Sequence, residues 1–524
     1  TKLTATGFVA PWNTTSVQIG VGDSTVPTDV VTVPVSNKTA VTYDAAARFS
    51  MQAAFGPRPD LVMHIQQVGF STFLTEQFAQ PVSSYPVASA SSDLTKIQFT
   101  YNALNGSNVL RQRVALALEE FITASIINGY IYPTAVPWQQ LMEKDAFANF
   151  RTLLNDVTLN NTMGNWLNLG NNWAPTNAAL HPNQNYAREL LQLFTMGPVK
   201  LNDDGSTVLD SSGRPVPTYD ASTILDLSRA LTGWAMPPVD SSAYAALNTD
   251  FAIPLQATDS RHDHGSKVLF GSTTLPAGQT ITQDETAALN AVFNHPNVPP
   301  FISRLLIQHL VKSDPSAAYI QRISEVFEND GTGVRGNLQA VVRAILLDPE
   351  ARAGDDGTVA EGDGHLQEPI LYFLAVMNGL QDPPTTTALV YAERGLGEYI
   401  WNPESVFSFY SPSFNIPGTS INAPEFQLYD ANYLPQRSQI LYSIIAGKET
   451  GFNSSYRQTS WLLQNFSTIP NLLDAVDHMF FHGTMPAATK QLIESYVATL
   501  PNPADQQTQA LYLALNSDSF QISH

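Results

Sequence analysis

The stretch Val109-Leu110-Arg111-Gln112-Arg113-Val114-Ala115-Leu116-Ala117-Leu118-Glu119-Glu120-Phe121 decides the fold class. Val109, Val114, Leu116, Leu118 and Phe121 recur at helical spacing, while Arg, Gln and Glu interrupt the apolar run. The same spacing returns at Leu61, Ile65 and Val68, and at Val341, Val342, Ile345 and Leu346. Helix-sized segments continue from about Asp44 nearly to the chain end. These patterns predict a mainly α protein, a multi-helix globular body with long functional loops.

Ahead of that body the pattern changes. Val17-Gln18-Ile19-Gly20-Val21 and Val30-Val31-Thr32-Val33-Pro34-Val35 are β-branched runs bounded by Gly, Pro, Asn and Asp. They predict a small N-terminal β arm or subdomain. The expected organisation is a β-rich arm over residues 1–44, a main helical domain carrying the site over 45–355, and a C-terminal helical region over 356–524.

Composition removes several functional classes. The 524 residues carry 46 Asp+Glu against 26 Lys+Arg, a formal charge of −20 with no basic run, so no nucleic-acid partner is expected. Nothing approaches the roughly 20 apolar residues that span a bilayer, so no membrane span is expected either. The absence of cysteine excludes disulfides, thiol catalysis and Cys-ligated metal. A hydrophobic fraction of 43% with 26 Phe is enough for a sizeable core. Few charges, scarce Lys and abundant Asn, Ser and Thr give the expectation of a secreted or cell-surface protein. The start at Thr1, without a basic and apolar leader, reads as a processed precursor.

Three irregular segments interrupt the helices: 161–183, rich in Asn, Gly, Trp and Pro; 198–219, which looks like a hairpin with two turns; and the long, aromatic 235–283. They flank two helices. In the first, His181 to Gly197, Pro182 and Asn183 mark the start and Gly197 the stop. Tyr186, Leu190, Leu193 and Phe194 form an apolar stripe, whereas Asn185, Arg188, Glu189 and Gln192 lie at i, i+3, i+4 and i+7 on another face. A solvated face explains that spacing too. Arg188 can hold an anion by a bidentate contact, and Glu189 can serve as acid or base if burial raises its pKa. The second helix, about Ala221 to Trp234, carries Asp226, Arg229 and Trp234, a Trp beside polar groups that suits sugar stacking or simple packing.

Arg261-His262-Asp263-His264-Gly265-Ser266-Lys267 supplies a third polar group. His262 and His264 on one strand face, with His181, have the makings of a metal site, but turn formation by Asp263 with incidental histidines explains the same letters. No metal and no cofactor is therefore expected. Asp263 as the carboxylate opposite Glu189 is the more economical use, because glycosidic bond cleavage needs paired carboxylates. Asp474, His478 and His482 read as a polar helix face, and Gly331 to Gly336 as a turn. No Gly-x-Ser-x-Gly elbow occurs, which disfavours a serine nucleophile.

Taken in order, several stretches resemble the domain-of-unknown-function 1800 family of bacterial, mostly exported proteins. They include Ala45–Phe49, Ala54-Phe55-Gly56-Pro57, Arg111–Leu118, Ala146–Arg151, His181–Gly197, Ala230–Trp234, Phe301–Arg304, Ala340–Glu350, Ser405–Pro412 and Ala423-Pro424-Glu425-Phe426. The resemblance covers roughly residues 45 to 450. It implies export and, through a sulfatase-like family often found beside it, work on extracellular glycan or envelope. Gln184 departs from the family pattern, which usually has Glu there, so an essential acid is expected at Glu189.

The expectation is an acid/base enzyme on extracellular polysaccharide, of hydrolase or lyase/epimerase type. Glu189, Asp263 and His262 are the expected catalytic residues. His181, Asn185, Arg188 and Lys267 are expected to bind substrate, with Trp173 and Trp234 stacking sugar. The alternative is a non-catalytic surface or filament-forming protein that self-assembles by strand addition through the N-terminal arm.

Overall fold

The structure, a computed structural model, describes residues 16–21, 29–34, 40–85, 92–125, 132–177, 179–237, 249–360, 362–381, 395–447 and 460–524. Within them the protein is mainly α. Helices cover Pro59–Val68, Val109–Phe121 and Leu338–Leu347, as the apolar spacing predicts. Four small sheets, each of two strands, accompany them. Ser16–Val21 pairs antiparallel with Asp29–Pro34, with Val17 opposite Val33 and Ile19 opposite Val31, which gives the arm its strands; Val35 lies outside the described residues. Among the described residues no helix is long and apolar enough to cross a membrane.

One contiguous apolar core runs from Tyr43 to Phe520. It includes residues on both sides of 355. Helix Pro369–Leu380 is buried along its whole length. Gly56 meets it closely: its φ of +107° suits glycine, and a Cβ there would stand 2.4 Å from the Cα of Ala375. Just ahead of this helix, His365–Leu366 pairs antiparallel with Ile522–Ser523, fastening the chain end to its entrance. Helix Val298–Leu310 packs on helix 109–121.

The irregular segments acquire structure. In 198–219, bridges Val199–Pro217, Leu201–Thr207 and Leu209–Pro215 form the double-turned hairpin that its Asp and Gly clusters predict. Segment 161–183 opens with a short helix, Asn161–Trp166, capped by the Asn160 side chain. Segment 235–283 contains strands Gln256–Ala257, Lys267–Leu269 and Thr273–Leu275. The helix expected to reach residue 196 is regular only over Asn185–Gln192. Beyond it the turn widens, with the Phe194 and Met196 amides donating to the carbonyls of Glu189 and Leu191, until Gly197 ends it at φ +72°. Residues 331–336 form a turn tied by the Asn329 and Asp330 side chains. The polar face expected at His478 and His482 is divided: His478 bonds Asp44 at 2.7 Å, whereas His482 is buried.

Candidate functional site

The residues singled out along the sequence fall into two groups. His181, Asn185 and Arg188 are exposed on the first helix and its entrance, and Asn185 donates to Asn168 Oδ1 at 3.1 Å. Glu189 is half-buried between Arg188 and Tyr219. Burial raises its carboxyl above the ordinary range against the pull of the Arg188 charge.

Around the end of helix Ala221–Ala230 the two long loops do come together. The Asn171 amide donates to the Trp234 carbonyl, Gly233 donates to Asn172, and Ala174 donates to Arg261. Trp173 is half-buried beneath the Arg261 guanidinium, and Trp234 is 5% exposed. The polar residues here are already employed by one another. Asp263 accepts from Arg229 Nε at 2.8 Å and Nη2 at 3.1 Å, and Arg229 also reaches Asp226 at 2.8 Å. His262 Nε2 lies 3.0 Å from Asp284 Oδ2, which Lys267 also contacts, and the His262, Lys267 and Asp284 side chains are all 0% exposed. His262 and Lys267 are therefore sealed from solvent. Their geometry is that of a structural tie between the loop and helix Ile281–Phe293. Among the described residues, no hydrogen bond or ion pair joins Glu189 to Asp263. The bidentate contact to Arg229 and the Gly265 amide hold Asp263 in its ionised form.

A second constellation lies elsewhere, assembled from residues far apart in the chain. Glu120 stands near the end of helix 109–121, His309 in the last turn of helix 298–310, and Glu368 at the N-terminus of helix 369–380. Each element buries an apolar stripe in the common core, and each brings one polar side chain to the same point. Glu368 does not cap its own helix. Glu398 does so instead, accepting from the Ile370 amide at 2.9 Å, which leaves Glu368 free to turn inward.

At that point His309 Nδ1 lies 2.6 Å from Glu120 Oε2, outside hydrogen-bond geometry, and the one group placed to donate to Glu120 is the carboxyl of Glu368 when it is protonated. Tyr410 donates to Glu368 Oε1 at 2.7 Å and stands 3.4 Å from His309 Nδ1. His365 Nε2 is 3.4 Å from the same Glu368 oxygen, and Nδ1 is 3.7 Å from Glu425 Oε1. Arg113, two helical turns before Glu120, donates to the His309 carbonyl. Burial pushes up the carboxyls of Glu120 and Glu368, and the Glu120 charge pushes Glu368 further. Burial holds His309 down at about 4, so its imidazole is neutral at ordinary pH.

This cluster forms the floor of a cavity of about 550 Å³ onto which Glu120, His309 and Tyr410 open. Phe121, Leu193, Phe301 and Phe407 make its walls largely apolar. Gln192 and Leu193 also line it, so the helix singled out from the sequence borders the cavity by its far end, away from Asn185. Tyr410 is delivered by a segment with two non-glycine residues in the left-handed region, Trp401 at φ +59° and Ser408 at φ +61°. Such conformations cost free energy and are retained where surrounding structure or function demands them.

Sequence reasoning gave Glu120, His309 and Glu368 no role. Glu120 sits in the stretch that identifies the helix, and Tyr410 and Glu425 sit in quoted family motifs. The available signal was a carboxylate or histidine placed alone in a stretch otherwise read as core. No curated protein and no solved structure matches the chain. The family described as "Protein of unknown function (DUF1800)" matches over residues 48–522, beyond the residue 450 at which the quoted motifs stop, and the chain belongs to that family.

Proposed function

We propose that the protein is a secreted or cell-surface enzyme acting on extracellular polysaccharide by acid/base chemistry, with its reaction centre on the cavity floor at Glu120, His309 and Tyr410. The observation that carries this reading is the convergence of three buried polar side chains on an otherwise largely apolar cavity of about 550 Å³. Proton-transfer groups act most strongly where water is excluded and their neighbours hold them in place. The rings of Phe301 and Phe407 offer apolar faces for a sugar, while the amide of Gln192 offers a hydroxyl partner. The acidic, charge-poor composition supports an extracellular setting.

The test is a polysaccharide panel incubated with wild type and with Glu120→Gln. A product formed by wild type and lost in the variant supports the reading; no product from any polysaccharide overturns it. New reducing ends would mark a hydrolase, and an unsaturated, ultraviolet-absorbing end a lyase. The non-catalytic reading draws on the arm, since among the described residues no third strand joins Ser16–Val21 and Asp29–Pro34. Deletion of the arm would then convert an assembled species to monomer in sedimentation.

A further inference from the structure

We infer that Glu120, His309 and Glu368 bind one divalent transition-metal ion at the floor of the cavity. One ligand atom from each lies within 4.8 Å of the other two, somewhat wider than the limit of about 4 Å for donors that each stand about 2 Å from a common centre, so a modest closure of the side chains completes the set. Among the described residues this is the group of three His or carboxylate side chains with that property.

Three carboxylate oxygens at the site have no fixed donor. Glu120 is 6% exposed, His309 7% and Glu368 1%, yet both Glu120 oxygens and Glu368 Oε2 lack a donor. Buried acceptors left in this state cost free energy, and native structures rarely tolerate several together. The 2.6 Å approach of His309 Nδ1 to Glu120 Oε2 without hydrogen-bond geometry places two potential ligand atoms side by side.

Charge points the same way. Glu398 and Glu425 are also buried beside the group, so four carboxyls stand against two guanidinium groups, Arg113 facing Glu120, Glu368 and Glu398, and Arg437 facing Glu398 alone. Burying that excess requires protons or a cation. A buried carboxylate elsewhere provides an internal contrast in charge: at Asp284 the chain supplies Lys267 as its own cation on Oδ2, although Oδ1 has no donor. Around Glu120 no lysine plays that part among the described residues.

The surroundings resemble those that orient metal ligands. Tyr410 fixes Oε1 of Glu368 and leaves Oε2 open, Arg113 pins the His309 backbone, and the His309 ring lies between Phe121 and Tyr410, roughly parallel to each. The cavity supplies a route of entry and an open side for further ligands. Because an imidazole joins two carboxylates, the site favours a first-row ion such as zinc over magnesium or calcium, which take oxygen alone.

The inference shares its cavity with the proposed enzymatic reading, but its test needs no substrate. Full-length protein stripped with chelator is titrated with zinc, and separately with magnesium, by calorimetry. One zinc per chain is expected, weakened about 100-fold or more by Glu120→Gln and by His309→Gln. His64→Gln, at an exposed histidine–glutamate pair outside the cluster, should leave it unchanged. Zinc binding that survives both cluster substitutions, or no binding by wild type, overturns the inference. Because either cluster variant can fail to fold, zinc-edge anomalous diffraction from wild-type crystals gives a second reading. A peak bonded to Glu120, His309 and Glu368 supports the site; a peak elsewhere, or none, overturns it. Zinc bound without any polysaccharide product would count against the proposed activity alone, and product without zinc against the metal alone.

Discussion

The phenol of Tyr410 donates a 2.7 Å hydrogen bond to Oε1 of Glu368, joining the wall of the cavity to the entrance of a wholly buried helix. Tyr410→Phe removes that donor and leaves the oxygen facing only His365 Nε2 at 3.4 Å. The unfolding free energy is expected to fall by about 1–3 kcal/mol, the cost of stranding a buried acceptor. Urea denaturation followed by circular dichroism measures it. A midpoint equal to that of wild type would mean that the bond contributes nothing.

Lys267→Met tests whether the His262–Lys267–Asp284 group is structural. With both side chains 0% exposed, losing the ammonium leaves Asp284 buried without its cation, at about 3–5 kcal/mol of stability. Lys267→Met combined with Asp284→Leu should be milder than the sum of the singles, because neither charge is then left alone. Additive losses in a double-mutant cycle would contradict the pairing.

The Arg229–Asp263 pair predicts a pH signature. Burial alone would raise the Asp263 carboxyl, but hydrogen bonds from Arg229 and the Gly265 amide, with the Arg229 and Lys267 charges, hold it below the ordinary range. A depressed folded pKa gives stability that is present above the unfolded value, about 3.9, and is lost as pH falls through the folded one. Arg229→Gln should therefore be less stable than wild type near neutrality, and the gap should close in acid below about pH 4. A gap independent of pH would contradict this account.

Phe407 is 44% exposed at the cavity wall, so its replacement by Ala should leave folding nearly unchanged. If its ring stacks on a sugar, KM rises by about 10-fold while kcat changes little, the mark of lost uniform binding. Steady-state kinetics on any polysaccharide found to be turned over would show it; an unchanged KM would remove Phe407 from the binding surface.

The helices were legible because burial repeats locally: Val109, Val114, Leu118 and Phe121 announce an inward face without reference to any distant partner. Helix ends were less so. The early stop at Gln192 depends on a widened turn that Gly197 terminates, and on how residues 193–199 meet the cavity. The polar site was least legible, for a physical reason. Residues such as Arg261 to Lys267 stand out because they lie together, but their partners come from other parts of the chain, Arg229 for Asp263 and Asp284 for His262, and the sequence does not announce that pairing. Glu120, His309 and Glu368 come from three separate helices and become a group only when those helices pack.

The central claim is that function resides at the cavity floor and not beside Asp263. Turnover of one responsive polysaccharide by Glu120→Gln and Glu189→Gln, measured side by side with wild type, tests it most directly. Loss of product in Glu120→Gln with turnover retained in Glu189→Gln is the predicted result; retention in Glu120→Gln with loss in Glu189→Gln would contradict it.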